Sequence, residues 1–283
     1  MSPPPVVPPA LDSRVLLDGP GVRVAQVHCP GHELRFGAAE PVGAPAIVLP
    51  VRGVFRLRVD GAESVVDPAL AYVQVPGHEQ QFAHPAGGDV CTSIDVGAEP
   101  AAAEVIDLAY RPVPVGPPLA LAHRLLLGRA RAGATPAELT DLTADLMARV
   151  LAALGAGPRD GGPPGTLDRH RRLVEDAREL LSCEPDLALP DVARLLGTSP
   201  WRLSRLFHRL TGVTLHRYRT RLRINAAMDR LADGAGSLAE LATELGFADQ
   251  AHLTRVVREG TGLPPGRLRA VLAARPLSRS TGR

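Results

Sequence analysis

Between Leu189 and Gly262 the chain states nearly the same sequence twice. The first copy runs Leu189-Pro-Asp-Val-Ala-Arg-Leu-Leu-Gly197, then Ser199, Leu203-Ser-Arg-Leu-Phe and Thr211-Gly212. The second runs Leu238-Ala-Glu-Leu-Ala-Thr-Glu-Leu-Gly246, then Asp249, Leu253-Thr-Arg-Val-Val and Thr261-Gly262. The offset is 49 up to the glycine and 50 beyond it, so the second copy has one extra residue in its turn. Each copy reads as a short amphipathic helix, a turn at glycine and a capped second helix. That is a helix-turn-helix, whose second helix fits the major groove of DNA. Two copies in succession imply a chain that grips two consecutive groove segments.

The pattern extends beyond the repeats, through His216-Arg217-Tyr218 and Arg223, the run Gly246-Phe247-x-Asp249-Gln250-x-His252, and Pro265 with Arg269. Over roughly Leu173 to Arg269 these residues resemble the AraC/XylS family of bacterial transcription regulators. The resemblance implies a double-stranded DNA operator, contact with RNA polymerase, a small-molecule effector and a homodimer. It also implies a cupin-like sensor ahead of the DNA-binding region. The second copy departs from the family: Leu253, Val257, Thr261 and Leu268 replace usual aromatics, and Gly260 weakens the helix. A looser second core and a weaker second DNA contact are expected.

Charge separates the two halves. From Thr166 onward there are 20 arginines against 13 acids, and before it 12 against 17. A basic half carrying the repeats has the electrostatics of a phosphate-binding surface; the acidic half is not expected to touch DNA. Every basic residue is arginine, which codon bias in a G+C-rich genome explains most simply. Three cysteines make no disulfide framework, and with no basic-then-apolar leader and no membrane-length apolar run a cytoplasmic location is expected.

The expected fold class is α+β, a cupin-like β-barrel with a helical hairpin followed by an all-α DNA-binding domain of two helix-turn-helix units on a long helix. The expected divisions are a disordered proline-rich tail (1–10), sensor plus helical dimerisation segment (11–154), Gly/Pro linker (155–166), DNA-binding domain (167–272) and a flexible tail (273–283). Phe55, Leu57 and Val59 alternate with Arg56 and Arg58, and Asp60-Gly61 turns the chain into Ser64-Val65-Val66. Ala71–Val75 reads as a strand, and Val90, Thr92, Ile94 and Val96 share one face of another. Helical periods cover Ala101–Ala109, Leu119–Ala132 and Pro136–Leu154. In the last, Leu139, Leu142, Leu146, Val150 and Leu154 form a stripe that packs on its own domain or serves as the dimer interface.

In the first recognition helix Ser199 suits the N-cap and Pro200 the next position. Leu203, Leu206, Phe207 and Leu210 must face inward. That leaves Trp201, Arg202, Ser204, Arg205 and Arg209 as candidate DNA contacts, with Arg205 reading a base and Arg209 meeting phosphate. The second helix offers Gln250, Ala251, His252, Thr254 and Arg255 after its Asp249 cap. Tyr218 to Leu231 reads as one continuous helix, in which some of Arg217, Arg219, Arg221 and Arg223 pair with acids such as Asp229 or stay solvated.

Pro76-Gly77-His78-Glu79 through His84 resembles half of a cupin metal motif, but the other half is missing at Arg58-Val59-Asp60. A cupin metalloenzyme is therefore the weaker alternative, and no acid/base, nucleophile or metal constellation argues for an enzyme. Cys29, His32, His84 and Cys91 have ligand types suited to zinc. They leave a metal- or thiol-sensing regulator as a second alternative. A purely architectural DNA binder is a third. A repair methyltransferase would need a four-cysteine cluster.

Overall fold

The computed structural model describes residues 12–31, 33–97, 112–154 and 166–273. The proline-rich tail, the helix expected over Ala101–Ala109, nearly all of the linker, the C-terminal tail and His32 lie outside the described residues.

The N-terminal portion is two antiparallel sheets. The larger is ordered β1 (Asp12–Gly19), β2 (Val22–Cys29), β9 (Asp89–Val96), β4 (Ala46–Arg52), β7 (Leu70–Gln74), β10 (Pro112–Pro114). The smaller is ordered β3 (Glu40–Pro41), β8 (Glu79–Ala83), β5 (Phe55–Val59), β6 (Ala62–Val66). The cupin-like region is thus unclosed, two sheets with free edges. The β5–β6 hairpin turns where expected, with Asp60 at φ 47° and Gly61 at φ 84°, the left-handed pair that matches strand twist.

Side-chain alternation stacks three layers. Val48, Tyr72 and Cys91 of the larger sheet meet Phe55, Leu57, Val59 and Phe82 of the smaller one. The opposite face of the larger sheet, with Ile47, Leu49, Val73, Ile94 and Val96, packs on helices α1 (Pro117–Arg131) and α2 (Pro136–Leu154). Because β4 is covered on both sides, Ala46–Val51 is apolar without alternation. The α2 stripe is core: Leu139, Leu146, Val150 and Leu154 are buried within this chain, against α1, β1 and β10. It is spent on the chain's own packing and is not free to be the dimer interface.

The C-terminal half is helical: α3 (Thr166–Cys183), α4 (Leu189–Leu195), α5 (Pro200–Thr211), α6 (Leu215–Ala232), α7 (Leu238–Glu244), α8 (Gln250–Thr261) and α9 (Pro265–Leu272). A first core joins Val174, Leu181, Val192, Leu203 and Phe207 to Leu215, Tyr218 and Leu222 at the start of α6. A second joins Ile224, Met228 and Leu231 of α6 to Leu241, Leu253, Val257 and Leu268. The expected looseness of this second core is corrected. Leu253, Val257 and Leu268 are all at 0% exposure, because α1 packs against α6, α8 and α9 and supplies the bulk that aromatics would. Gly260 has a packing role too: a Cβ there would stand 2.7 Å from Ile224 Cδ1 and 3.3 Å from Pro117.

Ion pairs also cross between the halves. Asp67, fully buried after β6, accepts from Arg178 of α3 at 2.9 Å and from the Tyr218 hydroxyl of α6. Burial and then the Asp67 carboxylate push the Tyr218 phenol well above its ordinary range, so it stays a donor. Arg124 of α1 holds Asp229 at 2.9 and 3.2 Å, so Asp229 serves this contact and not the arginines at the start of α6.

His123 of α1 is buried with Nε2 2.7 Å from Thr92 Oγ1. Burial, then the neighbouring Arg124, pushes its pKa from 6.5 down to about 3. Its folded pKa lies below its unfolded one, so the unfolded chain binds the extra proton. The stability His123 contributes is intact above about pH 6.5 and lost as pH falls toward its folded pKa. The melting temperature is expected to drop between pH 7 and 5, while most carboxylates remain ionised. His123→Gln is expected to flatten that slope, and an equal slope in the variant would remove His123 as its source.

Candidate nucleic-acid interface

The two helix-turn-helix units match atom for atom where the backbone must be held. Ser199 and Asp249 cap α5 and α8, accepting from the amides of Arg202 and His252. Gly197 and Gly246 make the turns at φ 61° and 67°, and Gly212 and Gly262 end the helices at 72° and 79°. The Thr211 and Thr261 hydroxyls each lie 2.7 Å from the carbonyl four residues back and 3.1 Å from the one two residues on. The sequence repeat is therefore a structural repeat, centred on two recognition helices.

Leu203, Leu206 and Phe207 turn one face of α5 inward. Trp201, Arg202, Arg205 and Arg209 are exposed on the other, with Ser204 half-buried between them. The Arg205 guanidinium lies 4.5 Å from the centre of the Trp201 ring. This cation–π contact restrains a long side chain without neutralising it, and Arg205 has no carboxylate partner among the described residues. Arg202 and Arg209, near opposite ends of α5, both approach the His170 ring of α3 at 3.4 Å.

The second helix presents Gln250, Ala251 and Arg255 outward, with Thr254 half-buried. Two of its differences from the first bear on its outward polar groups. Glu259 stands where the first unit has Arg209, and its carboxylate is 3.9 Å from Arg255. His252 is drawn into its own turn, where Nδ1 accepts from the Ala248 amide at 3.2 Å and the ring meets Phe247 edge-on.

Arg223 of α6 joins the units. Its guanidinium is 3.1 Å from Asp186 and 3.3 Å from the Pro185 carbonyl in the α3–α4 connection, and it lies 5.9 Å from the Phe247 ring of the second turn. Arg219 bonds the same Pro185 carbonyl at 3.1 and 3.2 Å. The arginine run at the start of α6 is thus partly structural, a role the sequence does not disclose because the acceptors are nearly forty residues away.

A family model described as a helix-turn-helix domain matches residues 192–270. The arabinose operon regulatory protein of Salmonella typhimurium is 31% identical over 100 residues, covering 34% of this chain and 36% of that protein. PqrA of Proteus vulgaris is 29% identical over 83 residues, 29% of this chain and 68% of that protein. Residues 192–270 are a helix-turn-helix domain. A solved AraC-type regulator from Chromobacterium violaceum is 25% identical, covers 38% of this chain and 96% of its own, and aligns with a TM-score of 0.35. The chain spans about a third of the arabinose regulator's length. The candidate contacts expected from sequence sit on α5 and α8 of this domain. Of them, His252 is engaged in its turn, and Arg255 stays exposed beside Glu259.

Gly197 and Gly246 are equivalent in sequence but not in surroundings. A Cβ on Gly197 meets open space, whereas one on Gly246 overlaps the Asp186 carboxylate and comes within 2.7 Å of Arg223 Nη2. Gly197→Ala is expected to cost about 1–2 kcal/mol, the left-handed backbone penalty alone. Gly246→Ala carries the same penalty and must also displace the ends of the Asp186 and Arg223 side chains, so it is expected to cost somewhat more and to loosen one unit from the other. Equal shifts of the urea midpoint in the two variants would remove the Arg223–Asp186 bridge from this account.

Proposed function

We propose that this chain is a sequence-specific transcription regulator that lays α5 and α8 into successive major-groove segments of one DNA face. The observation that carries this reading is the matched placement of Arg205 and Arg255 on two equivalently capped helices fixed to the ends of α6. Arg205 is the principal base reader, since an arginine early in a recognition helix can take guanine O6 and N7 together. Trp201 shields it from the side and meets sugar or a thymine methyl. Arg202 and Arg209 flank it for phosphate, and Ser204 reaches a base or phosphate. Gln250 suits adenine, and Ala251 and Thr254 suit apolar contact at the second site.

The N-terminal sheets are the proposed regulatory input, responsive to a small-molecule effector. What supports this is their direct fastening to the DNA-binding half through Asp67–Arg178 and Arg124–Asp229. The space between the sheets is filled by Phe55, Leu57, Tyr72 and Phe82, so the effector pocket is not proposed there.

The test uses the full chain, because α1 completes the second core, with an operator recovered by selection from random duplexes. Arg205→Ala is expected to cost about 1–3 kcal/mol on that operator and to relax preference at one base position. Arg255→Ala is expected to cost less, since Glu259 already competes for it. A loss for Arg205→Ala that is equal on selected and random DNA would make it a phosphate contact only and overturn its assigned role.

A further inference from the structure

One polar cluster in the N-terminal portion takes no part in the DNA interface. Cys29 ends β2, His84 follows β8 and Asp89 begins β9. One ligand-type atom from each of these three lies within 4.8 Å of the others. The His84 and Asp89 side chains are only 8% and 6% exposed, with Nε2 and Oδ1 3.0 Å apart. Yet His84 Nδ1 and Asp89 Oδ1 are buried and neither makes a hydrogen bond among the described residues, although Oδ1 stands close to His84 Nε2. Glu33 adds a second carboxylate, its Oε2 3.5 Å from His84 Nδ1.

The backbone around these groups leaves them room and holds them in place. A Cβ at Gly31 would stand 3.2 Å from His84 Nδ1 and 3.3 Å from Cys29 Sγ, and would overlap the Glu33 carboxylate. A side chain there would crowd that space. Gly53, at φ 85°, would bring a Cβ within 2.8 Å of Asp89, and Gly88 presses on the Cys29 carbonyl. Three separate chain segments are therefore pinned against one another at the donor atoms. Cys91, expected among the ligands, instead approaches Asp89 Oδ2 with its Sγ at 3.0 Å and orients that carboxylate from behind. Outer partners of this kind fix ligand direction at metal sites.

We propose that Cys29, Glu33, His84 and Asp89 form a zinc-binding site. One thiolate, one imidazole and two carboxylates are the donor types tetrahedral zinc accepts, at about 2.0–2.3 Å from the ion. Donor atoms of Cys29, His84 and Asp89 already lie within 4.8 Å of one another, and Glu33, beside His84, would swing in as the fourth ligand. Hard cations such as magnesium and calcium take oxygen ligands and are disfavoured by the sulfur and nitrogen.

The test uses full-length reduced protein carrying Cys183→Ser, which removes the exposed thiol at the end of α3. Chelator-stripped protein is titrated with zinc against a chromophoric competitor, and cobalt is substituted to report the ligands. One high-affinity zinc per chain is expected, weakened at least about tenfold by Cys29→Ser and by His84→Gln. Bound cobalt is expected to show thiolate charge transfer and tetrahedral bands. The proposal is overturned if no stoichiometric zinc site appears, or if folded Cys29→Ser and His84→Gln bind zinc undiminished. Should circular dichroism show those variants unfolded, the cobalt spectrum of the parent decides alone, and a spectrum without thiolate absorption overturns it.

Discussion

Tyr218, Asn225, Asp229 and Asp233 recur along α6 at spacings of seven, four and four, which places them on one face of the helix. Each is fastened to the N-terminal half. Tyr218 reaches Asp67, Asn225 donates to the Pro68 carbonyl at 2.8 Å, Asp229 takes Arg124, and Asp233, which caps the helix, pairs with Arg52. The same helix supplies Leu215 and Leu222 to the first core and Ile224, Met228 and Leu231 to the second. Eighteen helical residues span about 27 Å without a hinge. The separation of the two recognition helices, and their position on the sheets, are both set by this one rod.

The contact between the halves at Asp67 is ionic and dry, and this has consequences for specificity. Asp67 is at 0% exposure and Arg178 at 4%, with Glu175 completing the guanidinium's partners at 2.9 Å. A buried ion pair of this kind adds little net stability over a well-packed apolar substitute, whereas removing one partner costs about 3–5 kcal/mol. Its effect is to make one docking geometry far better than its neighbours. A signal arising in the sheets would reach the DNA-binding half by changing that geometry. The zinc site proposed above lies beside such a route, since Asp89 packs on Gly53, the residue that follows β4, and the preceding Arg52 holds Asp233.

Local features of this fold were legible in the sequence. The repeat, the Ser199 and Asp249 caps, the turn glycines and the Asp60-Gly61 hairpin depend on neighbours within a few residues, and the structure places them as the pattern requires. Pairings between distant segments were hidden. Asp67 and Arg178 are 111 residues apart, and neither belongs to a periodic pattern that would announce the other. Leu253 and Val257 looked undersized for a core because the helix that covers them, α1, begins at Pro117. The Cys/His set was half visible. Cys29 and His84 do meet, but Asp89 belongs to no ligand motif in the sequence, and strand alternation turns Cys91 to the inter-sheet face.

The central claim is that two recognition helices act as one rigid reader, and DNA spacing tests it most directly. On the selected operator, affinity of the full chain is measured with the two half-sites as found and with 5 or 10 bp inserted between them. Rigid attachment to α6 predicts that both insertions reduce binding to that of a single half-site, since an added helical turn restores the face but not the distance of about 34 Å. Recovery of full affinity at 10 bp and not at 5 bp would show the two units to be flexibly tethered, and would contradict the account.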